Sequence, residues 1–263
     1  YCKDQYTEAD LKTILKWYKS IDIAKTLNVN NHIHTPYSFS AFKSIQQAID
    51  LAKKEDIKIL GINDFFVQDG YEEFANECYA NNIFPLFNIE FIGLNKEDQK
   101  NKIRVNDPNN PGRTYFSGKG LSFPVKISPE NRKKLDEVIE ESQRQVEQMI
   151  DKLNDHIKAS GYDLSLSIDD IIKKHAKKLV RERHIATALR AKVAEEFDTD
   201  KEQFDFFSSV FGNNAPESDL NNHAEFENEI RAKMLKAGGS AFVAENEKAF
   251  LEVEEIRDII IDM

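Results

Sequence analysis

The spacing of apolar residues alternates between two periods in the first third of the chain. Runs over 27–31, 57–62 and 83–91 predict strands, because each run is too short for a helix and is bounded by polar turns. Between these runs, apolar residues recur every three or four positions, as on one face of an amphipathic helix. The two helical stripes are Ile45, Ala48, Ile49 and Ala52, and Tyr71, Phe74, Ala75 and Cys78. Alternating strands and helices predict an α/β fold with a parallel sheet.

Helical spacing alone continues from residue 129 onward. Ser128 before Pro129 is typical of a helix N-terminus, and we predict a long helix that ends near Gly161. Ser167 predicts the cap of another helix. Further apolar stripes at helical spacing are Leu135, Ile139, Val146, Met149 and Leu153; Phe204, Phe207, Val210 and Phe211; and Phe250, Val253, Ile256 and Ile260. These stripes predict helices that pack through one face into a core.

The densest group of turn-forming residues lies at 106–120, between the two halves of the chain. We predict that this segment is a long ordered loop or a boundary. As an alternative, its glycines, with Arg113 and Lys119, would offer amide groups and positive charge to a phosphate. Neither Walker nor GxGxxG spacing occurs in the segment, which favours the structural role.

Polar side chains occur at the ends of three consecutive predicted strands. His32 and His34 follow the first strand, Asp64 follows the second, and Glu90 lies near the end of the third. Sites in parallel α/β folds are built at the carboxyl ends of strands. Alternation along a strand points both imidazoles to the same side, and histidine is a common metal ligand. The pair therefore predicts half of a metal site, with a chance pairing as the alternative.

Three motifs around these residues resemble those of the PHP (polymerase and histidinol phosphatase) family. NHIHTPYS at 31–38 is similar to the family's HxH motif, GINDF at 61–65 to its Gly-Ile-Thr-Asp-His motif, and NIEF at 88–91 to the strand with its bridging glutamate. The resemblance implies an incomplete distorted (β/α)7 PHP-like barrel with a large, mainly α-helical insertion. It also implies divalent metal ions, Zn, Mn or Fe, at the carboxyl-terminal mouth. The implied metal ligands are His32, His34, Glu90 and Asp64.

The chain departs from the family pattern at several ligand positions. Phe39 stands where the family usually has an acidic residue, and Phe65 stands where its second motif ends in histidine. Between His34 and His156 the sequence has no histidine, although the family generally places another ligand soon after the glutamate. A phenyl ring cannot coordinate a metal, so we expect fewer than three ions. We also expect Phe39 and Phe65 to be buried close together in the space of the missing ion.

The resemblance divides the chain into four regions. We predict an amino-terminal helix over 1–25, the α/β barrel portion over 26–128, a helical insertion over 129–245, and a helix over 246–263 that leads back to the barrel. The family's last motifs would come after Met263, and the chain does not begin with Met. We therefore expect this sequence to be the amino-terminal part of a longer protein.

A basic run from Lys173 to Arg183 lies in the helical half. It leads into Arg183-His184-Ile185-Ala186, which is similar to an Arg-Pro-His-x-Ala segment of some PHP members. The resemblance predicts that Arg183 and His184 bind an anionic substrate. The alternative is that the run forms a solvated helix face. The sequence assigns a catalytic role to no residue.

Composition narrows the range of partners. A formal net charge of -10 argues against a general nucleic-acid surface, which needs a basic patch. Cys2 and Cys78 fit a reducing compartment, and no apolar run approaches the roughly 18 residues of a membrane span. We therefore expect a cytoplasmic location, no membrane partner, and a small phosphorylated substrate or nucleotide. The sequence does not define an oligomeric state.

Two functions of different classes fit these features. The first is a metal-dependent phosphoesterase, which hydrolyses a phosphate ester with a metal-activated water. The second is a degenerate, catalytically silent PHP-like domain that acts as a binding or interaction module. Phe39 and Phe65 favour the silent module, whereas His32, His34 and Glu90 favour the enzyme.

Overall fold

The computed structural model describes residues 8–20, 26–38 and 42–263, and within them the chain forms five strands and ten α-helices. The strands are β1 (Asn28–Ile33), β2 (Ile57–Phe65), β3 (Phe84–Leu94), β4 (Arg113–Lys119) and β5 (Leu251–Glu252). The helices are α1 (Glu8–Ser20), α2 (Ile45–Lys54), α3 (Tyr71–Ala80), α4 (Lys96–Lys100), α5 (Pro129–Ala159), α6 (Ile168–His175), α7 (Glu182–Glu196), α8 (Asp200–Val210), α9 (His223–Ile230) and α10 (Val253–Asp262). A π-helix, Arg231–Leu235, continues α9, and a 3-10 turn, Glu247–Ala249, precedes β5.

The five strands form one mixed sheet. β1, β2 and β3 are parallel neighbours, and β4 runs antiparallel to β3 from Asn88 to Leu94. On the other edge of β3, pairing with β2 ends at Glu90. β5 pairs with the same edge farther along, at Gly93 and Leu94. The carboxyl ends of the three parallel strands therefore lie at one end of the sheet, and the predicted α/β class is confirmed.

Helices α2 and α3 cover the first core. All eight residues of the two predicted stripes are buried, which confirms both helices. Ser44 begins α2, because its hydroxyl accepts a hydrogen bond from the N–H of Gln47 at 3.1 Å. The apolar faces of these helices pack with Leu60, Ile62 and Phe87 of the central strands.

The second half of the chain is helical. Each regular element from Pro129 to Leu235 is a helix, so the predicted mainly helical insertion is confirmed, while the bounds 129 and 245 stay a prediction. The side chains of Ser128 and Ser167 cap α5 and α6, as the sequence predicts. These helices have a core of their own, and Leu135 and Val138 of α5 pack against β3 and α10. No helix in the described residues is long and apolar enough to cross a membrane.

Two predictions from local pattern are wrong. The segment 106–120 is not a continuous loop, because its second part is β4, bracketed by Gly112 and Gly120 with φ of 76° and 71°, while its interpretation as a boundary stays a prediction. Its Thr-Tyr-Phe-Ser sequence has β propensity, and the glycines mark the strand ends. Phe204 is 38% exposed, since the buried stripe of α8 includes Phe206. The predicted helix over 1–25 is described only as α1, and the rest of that range lies outside the described residues.

Gly61 lets neighbouring strands approach closely. A β-carbon at this position of β2 would collide with Asn31 Oδ1, and it would lie 2.7 Å from Asn88 Nδ2 and 2.9 Å from Asn31 Cα. We expect Gly61→Ala to lower the free energy of unfolding by about 1–3 kcal/mol, because overpacking forces the strands apart. Urea denaturation measures this change. Lys58→Ala, at an exposed position of the same strand, is the control, and equal midpoints for the two variants would contradict the expectation.

Candidate metal centre

The two histidines of the first motif lie at the carboxyl end of β1. His32 is in the strand and His34 directly follows it. Their Nε2 atoms are 3.3 Å apart, so both imidazoles point to the same place despite a register irregularity between Asn30 and Ile33. The side chain of His32 is 48% exposed and that of His34 is 20% exposed. The pair therefore lies at the surface, at the carboxyl end of the sheet, where solvent reaches it.

Glu90 completes a close group with these histidines. Its Oε2 atom lies 2.9 Å from His32 Nε2 and 3.4 Å from His34 Nε2. The residue is buried in β3, where it pairs with Phe65 of β2 and Ser117 of β4. In residues 8–20, 26–38 and 42–263, this is the one group of three or more His, Cys, Asp or Glu side chains with ligand atoms within 4.8 Å.

The protonation of the two imidazoles suits a metal ion. Burial, followed by the charges of His32, Lys119 and Arg181, lowers the pKa of His34 to about 4. Burial and Lys119 also lower the pKa of His32, so both rings are neutral at pH 7. Burial raises the pKa of Glu90 to about 7, against the opposing effects of Lys119 and Asn63. Neutral imidazole nitrogens and a carboxylate oxygen are ligands that Zn, Mn and Fe accept, so the donor set fits a divalent ion.

Asn63 and Lys119 support the group, and the sequence did not single out either of them for this role. The buried Asn63 of β2 donates through Nδ2 to Glu90 Oε2 at 2.5 Å, and the same atom lies 3.0 Å from His32 Nε2. Lys119 Nζ of β4 donates to Asn63 Oδ1 and to the carbonyl of Asn31, each at 3.0 Å. Asn63 could have been found from its place beside Asp64. The sequence offered Lys119 as a phosphate contact, whereas its contact with Asn63 depends on β4.

Asp64 lies outside the close group. Its carboxylate accepts hydrogen bonds from the Thr35 N–H at 2.6 Å, the Thr35 hydroxyl at 2.5 Å and the Ser38 hydroxyl at 2.6 Å. The side chain is fully buried, and burial raises its pKa to about 6 although these three donors oppose the shift. Asp64 therefore fixes the turn that follows His34.

Phe65 lies directly against the candidate ligands. Its half-buried ring stacks on the imidazole of His34, with centroids 4.8 Å apart and 10° between the ring planes. On the same ring, the Arg181 guanidinium lies 5.7 Å from the centroid, and Tyr115 packs edge-on at 6.2 Å. Phe39 lies outside the described residues, so its proximity to Phe65 stays a prediction.

The basic run does not form one helix face, which makes that alternative wrong. α6 ends at His175, and Lys177 and Lys178 form ion pairs with Glu73 at 2.6 Å and Asp69 at 3.0 Å. These pairs connect the segment after α6 to the start of α3.

The two substrate-binding candidates begin α7. His184 is buried, and its Nδ1 accepts a hydrogen bond from the N–H of Arg181 at 3.1 Å. Arg183 lies beside it in the first helical turn and is partly buried. The structure does not bring His184 or Asp64 into the group of His32, His34 and Glu90, and the substrate-binding role of Arg183 and His184 stays a prediction.

A family model for the PHP domain matches residues 30–223, which is more than half of the chain. The chain therefore belongs to the PHP domain family. The match covers the three motifs at the strand ends and most of the helical half. No curated protein matches the sequence.

Two solved structures share the fold at low sequence identity. A protein from Bifidobacterium adolescentis, assigned as a metal-dependent phosphoesterase, matches with a TM-score of 0.57 and 14% identity over 90% of this chain and 64% of its own. An amidohydrolase from Chromobacterium violaceum, solved with bound sulfate and no metal, matches with a TM-score of 0.51 and 14% identity over 89% of this chain and 63% of its own. The chain thus spans under two thirds of the length of each neighbour and shares their α/β fold, here an open mixed sheet with a mainly helical second half.

The hydrogen bonds of Asp64 generate a test of its role. We expect Asp64→Ala to lower the free energy of unfolding by about 2–4 kcal/mol, because buried donors of Thr35 and Ser38 lose their acceptor. Asp64→Asn keeps the shape and one acceptor oxygen, so its loss should be smaller. Urea denaturation measures both effects, and calorimetric titration with Mn²⁺ follows metal affinity. If Asp64→Asn abolished Mn²⁺ binding while the fold stayed intact, Asp64 would be a ligand and its assignment to the turn would be wrong.

Proposed function

We propose that the chain binds a divalent ion through His32, His34 and Glu90 and is part of a metal-dependent phosphoesterase. The observation that carries this proposal is the convergence of two Nε2 atoms and one Oε2 atom to between 2.9 and 3.4 Å. Three such acceptors at one point repel one another unless a proton or a cation lies between them. Zn, Mn or Fe would suit the donor set, and the replaced ligand positions support fewer than three ions.

A bound ion of this kind acidifies water and neutralises negative charge on a phosphoryl group. The chain's own residues orient the ligands. Asn63 donates to Glu90 and holds the carboxylate, and Phe65 supports one face of the His34 ring. Asp64 holds the turn after His34 through Thr35. Such outer partners restrict the ligands to one arrangement, which favours metal binding.

The proposed substrate class is a small phosphate ester, nucleotides included. Membership of the PHP family and the name of the Bifidobacterium neighbour support a phosphate ester. Lys119 and Arg181 place positive charge near the candidate ligands. Positive charge at this place attracts an anionic substrate. From the sequence resemblance, Arg183 and His184 are proposed to contribute to substrate binding. The net charge of -10 argues against a general nucleic-acid surface.

The alternative is a catalytically silent module. Its support is Phe65, which stands at the position of a family ligand and stacks on His34 without coordinating anything. A module of this kind would keep the fold and lose the ion.

Metal uptake separates these functions. We expect the chain to bind Mn²⁺ or Zn²⁺, and we expect Glu90→Gln and His34→Ala to weaken binding about 100-fold or more, because loss of an outer partner alone costs about 10–100-fold. Elemental analysis and calorimetric titration are the measurements. His223→Ala changes an exposed histidine of α9 and serves as the control. Uptake that is equal in all variants would contradict the proposed ligands.

Turnover is the second test. The metal-loaded chain should hydrolyse p-nitrophenyl phosphate, and Glu90→Gln should reduce the rate about 100-fold or more, since the ion is no longer held in place. His223→Ala should retain the activity of the unmodified chain. A folded chain that binds metal at Glu90 and hydrolyses no phosphate ester would contradict the phosphoesterase activity and leave only metal binding.

A further inference from the structure

We propose that Lys119 takes the place of a second metal ion: its ammonium group binds an anionic oxygen of the substrate beside a single ion held by His32, His34 and Glu90. This inference rests on the proposed function and adds to it the number of ions and a substrate-binding residue.

Lys119 is positioned toward the ligands by the register of β4. Ser117 of the same strand pairs with Glu90 of β3, and Ser117 Oγ accepts a weak hydrogen bond from Asn63 Nδ2 at 3.3 Å. Residues two apart in a strand point to the same face, so Lys119 shares the face of Ser117. The lysine side chain contacts the side chain of Asn63 in β2 and the carbonyl of Asn31 in β1.

The ammonium group is held in place and keeps one donor for a ligand. Lys119 Nζ donates to Asn63 Oδ1 and to the Asn31 carbonyl, both at 3.0 Å. An ammonium group has three N–H donors, so one remains after these two bonds. The side chain is exposed, whereas Asn63 and Glu90 are buried. An anion that approaches from solvent therefore meets the lysine at the same mouth as the candidate ligands.

The location of Lys119 disfavours a second divalent ion. One amide, Asn63, contacts both Lys119 Nζ and Glu90 Oε2, so the ammonium lies one side chain away from the carboxylate. A second cation on this side of Glu90 would be repelled by the ammonium charge. In the part of the chain that the structure describes, no further His, Cys, Asp or Glu joins the group to hold such an ion. Lys119 instead provides a fixed positive charge there.

A structural role is the competing explanation, because the same two hydrogen bonds connect β4 to β1 and β2. The two explanations differ in the effect of removing the charge. If Lys119 binds substrate, its loss weakens anion binding and leaves metal affinity equal or higher, since a neighbouring cation is gone. If Lys119 only connects strands, its loss loosens Asn63 and Glu90 and weakens metal binding.

The experiment compares Lys119→Met with Lys119→Arg, and uses Lys126→Met at an exposed position as the control. Each variant of the 263-residue chain is titrated calorimetrically with Mn²⁺, and then, loaded with Mn²⁺, with inorganic phosphate. We expect one Mn²⁺ per chain in all variants. Phosphate affinity should fall tenfold or more in Lys119→Met, recover largely in Lys119→Arg and stay unchanged in Lys126→Met, while Mn²⁺ affinity in Lys119→Met is no weaker.

Other results would overturn the inference in distinguishable ways. Two Mn²⁺ ions per chain would refute the replacement of an ion by Lys119 and leave the phosphoesterase proposal standing. Weaker Mn²⁺ binding in Lys119→Met with unchanged phosphate affinity would identify a connection between strands only. A folded chain that takes up no Mn²⁺ or Zn²⁺ would refute the proposed function itself, and this inference with it.

Discussion

Three ligand atoms that need a shared proton or a cation between them converge at the carboxyl end of the sheet, and much of the surrounding structure holds them there. His32 and His34 come from the first strand and Glu90 from the third, so their separations depend on how closely β1, β2 and β3 pack. Gly61 permits this packing, because a side chain in its place would collide with Asn31. The site therefore depends on the backbone of the sheet as much as on the identity of the ligands.

A buried amide in β3 joins the four main strands near this point. Asn88 donates to Asn31 Oδ1 of β1 at 2.8 Å and to the carbonyl of Ile62 in β2 at 3.0 Å, and it accepts from the N–H of Gly120, directly after β4, at 3.1 Å. A buried amide that loses its partners costs free energy, so this network specifies one arrangement of the strands. Because it includes the end of β4, it also fixes the strand from which Lys119 extends.

Local periodicity could be predicted from the sequence, whereas strand pairing could not. All eight stripe residues of α2 and α3 are buried, and strand ends could be located well enough to select the two histidines and Glu90 as candidates. β4 was missed, because turn formers surround it and its propensity for a strand is confined to a few residues. Without β4, the contact between Lys119 and Asn63 could not be predicted. Phe204 was predicted to be in the core but is exposed, because spacings of three and of four residues both fit the cluster of phenylalanines in α8.

The two flanks of the candidate ligands differ in chemistry, and this difference bears on whether the site is active. Phe65 covers one face of the His34 ring. Lys119 places a positive charge beside Asn63, which contacts Glu90. A domain kept only for its fold would gain stability from apolar residues in place of Glu90 and His34, since buried polar groups without a cation cost free energy. Burial raises the pKa of Glu90 to about 7, well above its ordinary value, so the metal-free fold bears this cost at neutral pH. A divalent ion offsets the cost, because metal binding favours the ionised carboxylate and the neutral imidazole.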